Sequence, residues 1–204
     1  MNKQDLIDTI IASEWEMFHD INNINGKASC QNDPTTFKIM RQSQAISWSV
    51  PALESYLDDL INAKQDGRNL LTEKYARMMK ITSPLEYERI EHLLPPLDQS
   101  IVPIIDEIVE MMITWEIEFA QRYPTVTRRL RPVSSVDDQS FVTSLDTYIR
   151  GELETYSSKT LDLYHKHLCQ QKSINVNVVE VILEYTVQQY GYSSLQDADQ
   201  KFQV

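Results

Sequence analysis

Apolar residues return every three to four positions along almost the whole chain, and this spacing constrains the fold more than any other feature. Ile7, Ile11, Glu14, Phe18 and Ile21 mark one face of a first helix. With 4 glycines and 8 prolines among 204 residues, the chain has few places to turn, and loop-rich or low-complexity architectures are excluded. The apolar share, 42%, is too high for a disordered acidic chain.

Turn chemistry over 22–33 ends the first helix, with Gly26 and several asparagines. Asp33-Pro34 supplies an N-cap and a first-turn proline for a second helix, to about Trp48. Pro51 opens a third, which stops near Gly67, and a shorter one is expected over about Asn69–Lys80. Ser83-Pro84-Leu85-Glu86 has the form of a capping box and starts a helix that ends at Leu94-Pro95-Pro96. Ile101–Phe119 is apolar on more than one face and is expected to be the central buried helix.

Tyr123–Asp138 is the longest irregular stretch, and a single long helix is expected over about Gln139–Leu168. Its stripe would hold Phe141, Leu145, Tyr148, Glu152, Tyr156, Thr160, Leu163 and His167. Asn177–Tyr190 is rich in β-branched residues, but Asn177 with Glu180 favours a helix. The polar segment from Tyr192 is expected to fray. The expectation is one all-α domain over residues 1–204, with a core of about 5–190 and a polar tail over 191–204. It would be a bundle of about seven or eight helices around an internal polar pocket.

The charge balance, 30 acids against 19 Lys and Arg for a net −11, argues against nucleic acid and anionic membrane surfaces as partners. Met1–Phe18 is interrupted by acids, unlike a signal peptide, and no apolar run is long enough to cross a membrane. Two cysteines make no disulfide framework, so a cytoplasmic location is expected. The charge is unevenly placed. Phe119–Val136 has no acid and four arginines (Arg122, Arg128, Arg129, Arg131), leaving −15 for the rest (−11 minus +4). Those arginines could hold an anion, but pairing with the chain's own acids is the plainer expectation.

Three carboxylates stand inside apolar stripes: Glu14, Glu116 and Glu152. A carboxylate facing a core must be paired or must titrate at higher pH, and both outcomes recur in active sites and in structural ion pairs. Glu16-Met17-Phe18-His19 is the only Glu-x-x-His step, and Asp162-x-x-His165 is a poor substitute for a second. A di-metal bundle site is therefore not expected, and no cofactor is assigned. Cys30 lies three residues after Lys27 and just before a helix N-terminus, a setting that allows a nucleophilic thiolate. Gly-x-Ser-x-Gly, P-loop, dinucleotide-glycine and His-Glu-x-x-His signatures are all missing.

Four blocks in order carry a family resemblance: Glu14-Trp15 with Met17-Phe18; Cys30–Gln44 with Trp48; Gly67–Met79 followed by Thr82; and Thr143–Ser157. The chain resembles the bacterial domain of unknown function 4125 family over about residues 5–190. Members occur alone or joined to a nucleotidyltransferase-like domain, and the resemblance implies no established activity. Asn25-Gly26-Lys27 stands where many members have Gly-Gly-Arg, and Arg131-Pro132 is the family-like part of the arginine loop.

The blocks sort the candidates. Glu14, Glu152, Cys30, Tyr148 and Lys74 are the catalytic candidates, and Arg41, Gln44, Arg68, Asn69, Tyr75, Arg150 and Tyr156 the ligand-binding ones. The leading expectation is an enzyme acting on a small anionic metabolite, with arginines holding the anion and a buried glutamate as acid/base. The alternatives are a non-catalytic helical module for a small ligand or for a protein partner encoded nearby, and a Cys30-dependent transferase. The oligomeric state is not legible.

Overall fold

The computed structural model describes residues 1–21, 26, 29–138 and 142–202. Among the described residues the fold is all-α, with eleven α-helices and no β-strand. The first four helices are α1 Lys3–His19, α2 Pro34–Ile46, α3 Val50–Gln65 and α4 Leu70–Thr82. Each starts where a short polar side chain accepts a hydrogen bond from the first-turn backbone, supplied by Asn2, Asp33, Ser49 and Asn69. α1 packs against α2, α3 and α4 through Ile7, Ile10, Ile11, Met17 and Phe18.

The second half is organised by α6 (Val102–Arg122), preceded by the short α5 (Pro84–Ile90). α6 packs on α7 (Pro124–Thr127), α8 (Leu145–Leu153), α9 (Ser158–Ser173) and α10 (Val178–Gln189), which makes it the central helix expected from its composition. α8 packs on α4 and α9 on α3, joining the two halves. α4 and α8 approach closely at Gly151, where an added Cβ would lie 2.6 Å from Met78 Cγ and 3.0 Å from the Lys74 carbonyl oxygen. No described helix is long and apolar enough to cross a membrane.

Several expectations are corrected. The long helix over 139–168 is two helices, α8 and α9, because Ser157 breaks it. The Ser157 hydroxyl caps Thr160 N, and its own N–H donates to Asp59 Oδ2 at 3.0 Å. The stripe drawn through both is therefore not one face, and its Gln139 start and Phe141 lie outside the described residues. Ser83 makes no side-chain cap bond, so the capping box is not formed. The segment read as a fraying tail forms α11 (Leu195–Lys201) instead. It buries Leu195 and Ala198, and Asp199 Oδ1 accepts from the Thr125 and Val126 N–H groups at the start of α7. The helix count exceeds the expected seven or eight because one expected helix is split into α8 and α9 and because α7 and α11 are too short to register in apolar periodicity. Asn177 caps α10 as its spacing from Glu180 implies.

Candidate functional site

Four helices separated widely in sequence bring four charges to one place. Glu14 from α1, fully buried, receives Arg41 of α2 through two bonds: Nε donates to Oε2 at 2.8 Å and Nη2 donates to Oε1. The same Nη2 lies 2.8 Å from Oε1 of Glu152 on α8, and Lys74 Nζ of α4 donates to Glu152 Oε2 at 2.6 Å. Two carboxylates face two cations, so the network is neutral as a whole. Neutral groups complete it. Tyr56 donates to Glu14 at 2.7 Å, Tyr156 donates to Glu152 at 2.8 Å, and Arg41 Nη1 donates to Gln44 Oε1 at 2.6 Å.

Aromatic rings wall the charges in. Trp48 contacts Tyr56, Tyr156 and Tyr164, the last in a stacked pair 4.3 Å between centroids. On the other side Lys74 Nζ stands 3.6 Å from the centre of the Tyr148 ring, and the Arg131 guanidinium lies 4.6 Å from that same ring. Tyr75 flanks Lys74 at 5.9 Å. The side chains of Arg41 and Glu152 each remain 13% exposed, so the enclosure is not closed.

Titration in this setting follows from burial and partners. Burial alone would raise the Glu152 carboxyl, but Arg41 and Lys74 beside it hold it well below the usual carboxylate range. Burial would lower Lys74, yet Glu152 keeps its ammonium above the ordinary value. Burial pushes Tyr56 and Tyr156 well up and Tyr75 to about 12. These groups therefore hold their charge states across neutral pH. Chemically the network offers fixed electrostatics and hydrogen-bond donors; Glu152 is an anchor for two cations and a poor proton donor.

The sequence profile of the family described as Protein of unknown function (DUF4125) matches residues 4–200. The chain belongs to the DUF4125 family. No curated protein and no solved structure matches it.

Within this DUF4125 chain, the candidates Glu14, Arg41, Gln44, Lys74, Tyr75, Tyr148, Glu152 and Tyr156 are brought together, and the others are not. Arg68 forms a two-bond pair with Glu73 at 2.8 and 2.7 Å. Arg150 pairs with Asp146 of its own helix and with Asp106 of α6. Neither shares a partner with Arg41: each pairs with its own carboxylates. Asn69 caps α4 and donates to the Met17 carbonyl at 2.7 Å. Cys30 is exposed at a 3-10 turn, Ser29–Asn32, on the Tyr75 side; Lys27, invoked beside it, lies outside the described residues.

Glu116 takes the other course open to a buried carboxylate. It is 5% exposed, has no ion pair or hydrogen bond among the described residues, and is pushed up to about 7 by burial alone. In the arginine loop Arg122 pairs with Glu180, and Arg129 lies over Phe202 at 4.0 Å. Among the described residues no three His, Cys, Asp or Glu side chains could together hold a metal ion. Two surface depressions of about 640 and 290 Å³ lie elsewhere, flanking Asn177 and Glu180 at the start of α10.

Sequence reasoning missed Tyr56 and Trp48 as members of the site. The signal for Tyr56 is its place in the apolar stripe of α3: a phenol buried there needs an acceptor, and Glu14 supplies it.

Proposed function

We propose that the network formed by α1, α2, α4 and α8 is the floor of a binding site for a small anionic metabolite, and that Lys74 is the group that meets the anion. The observation that carries this reading is the unused capacity of Lys74. Its ammonium has three hydrogens, one bonded to Glu152 and one face resting on the Tyr148 ring. Arg41 by contrast is consumed by Glu14, Glu152 and Gln44. Glu14 and Glu152 act in this reading by fixing the two cations, which favours ligand binding or electrostatic catalysis over glutamate acid/base chemistry.

Thermal melts with inorganic phosphate, succinate and citrate at up to 20 mM test the proposal. Binding at 100 times Kd adds about 2.7 kcal/mol of stability. Wild-type protein is expected to be stabilised by at least one of these anions and Lys74→Met by none. Equal stabilisation of both proteins, or of neither, overturns the proposal.

A second reading, a docking module for a protein partner, is favoured by three apolar side chains in and around α5: Ile81, Leu85 and Leu93 are 51%, 71% and 71% exposed.

A further inference from the structure

Away from the charged network, a thiol, an imidazole and a carboxylate meet on the outer side of the α6–α9 contact. Cys169 is exposed, and its Sγ lies 3.5 Å from Nε2 of His165, one turn earlier on α9. The same nitrogen lies 2.8 Å from Oε2 of Glu107 on α6. His165 is 20% exposed at its side chain, so the packing of α6 on α9 holds the ring while the sulfur faces solvent. Lys166 and Lys172 stand three residues either side of Cys169 on the helix. Cys30, the other exposed thiol, has no histidine contact among the described residues.

We infer that Cys169 is the reactive thiol of this chain, a modification site for peroxide and other soft electrophiles, with the Nε2–H of His165 as hydrogen-bond donor to the sulfur and Glu107 as the positioning residue. The chemistry follows from the three atoms. Because the Glu107 carboxylate accepts from His165 Nε2, that nitrogen carries a hydrogen: the thiol proton leaves to water, and the Nε2–H donates to the thiolate that results. The sulfur then attacks one oxygen of hydrogen peroxide: an S–O bond forms and the O–O bond breaks. The departing hydroxide takes up the proton the thiol released and leaves as water. Sulfur is oxidised to the sulfenic acid and the peroxide is reduced. With iodoacetamide the S–C bond forms, the C–I bond breaks and iodide leaves, the thiol proton having passed to water.

Competitive labelling of the folded full chain with limiting iodoacetamide, read by peptide mass spectrometry, gives both cysteines' rates in one tube. Cys169 is expected to react at least tenfold faster than Cys30 at pH 7, and peroxide followed by dimedone is expected to mark Cys169 first. His165→Ala should lower the Cys169 rate tenfold without changing that of Cys30, and added imidazole should restore it. Glu107→Ala should lower it less, with Glu107→Asp recovering part of the loss. Circular dichroism reports whether each variant is folded. Equal rates in the wild type, a faster Cys30, or a Cys169 preference unchanged in His165→Ala overturns the inference.

Discussion

Replacing Glu116 with glutamine isolates the cost of holding one unpaired carboxylate buried on α6. The group ordinarily titrates at 4.5 and in the fold at about 7, with burial as the cause. Between those values the folded protein keeps a proton that the unfolded chain has released. Stability from this group is therefore complete below pH 4.5 and is withdrawn as pH rises through 7. The rise from 4.5 to about 7, at about 1.36 kcal/mol for each tenfold change in proton affinity, corresponds to about 3 kcal/mol. Glutamine has nearly the shape of the protonated acid and no charge to desolvate. At pH 5 the two proteins should match closely. At pH 8.5 Glu116→Gln should be more stable by up to about 3 kcal/mol, equivalent to about 6–12 °C in Tm for a chain of this size. Urea unfolding followed by circular dichroism at both pH values measures the difference, and groups that titrate elsewhere cancel in the comparison. A stability difference that is the same at pH 5 and pH 8.5 would refute the reasoning.

Other perturbations act on the charged network. Arg41→Met removes the cation shared by Glu14 and Glu152 and should cost about 3–5 kcal/mol in urea unfolding, because both carboxylates lose a buried partner; a loss below about 1 kcal/mol contradicts that role. Glu152→Gln has the opposite pH signature to Glu116→Gln. Its carboxyl is held low, so the deficit should be complete above pH 4.5 and shrink as acid is added, and equal deficits at pH 3 and pH 7 would show that Glu152 is not ionised in the fold. Gly151→Ala forces α4 and α8 apart and should cost about 1–3 kcal/mol in thermal melts, whereas an unchanged Tm would mean that the interface accommodates a methyl group.

Much of the fold was legible because its signals are local. Asp33-Pro34 and Asn177 with Glu180 name their helix starts without help from the rest of the chain, and both caps form. The break at Ser157 was not legible, since it depends on Asp59, nearly a hundred residues away, accepting the N–H that a continuous helix would use. α11 escaped notice for a similar reason: two buried positions, Leu195 and Ala198, carry too little periodicity, and its anchor is Asp199 on the start of α7. In the site, Glu14 and Glu152 were visible as carboxylates in apolar stripes and Arg41 and Lys74 as members of family-like blocks. Which arginine would meet which acid was not visible. Arg68 and Arg150 look like Arg41 in sequence, and only the packing of α1, α2, α4 and α8 separates them.

The charged network also orders events during synthesis. Glu14, Arg41 and Lys74 leave the ribosome well before Glu152, which follows Lys74 by 78 residues. At 5–20 residues per second that interval is roughly 4–16 s. Throughout it, the emerging first four helices hold two cations against a single carboxylate, a surplus that resists enclosure in an apolar setting. Closure of the N-terminal half thus waits for α8.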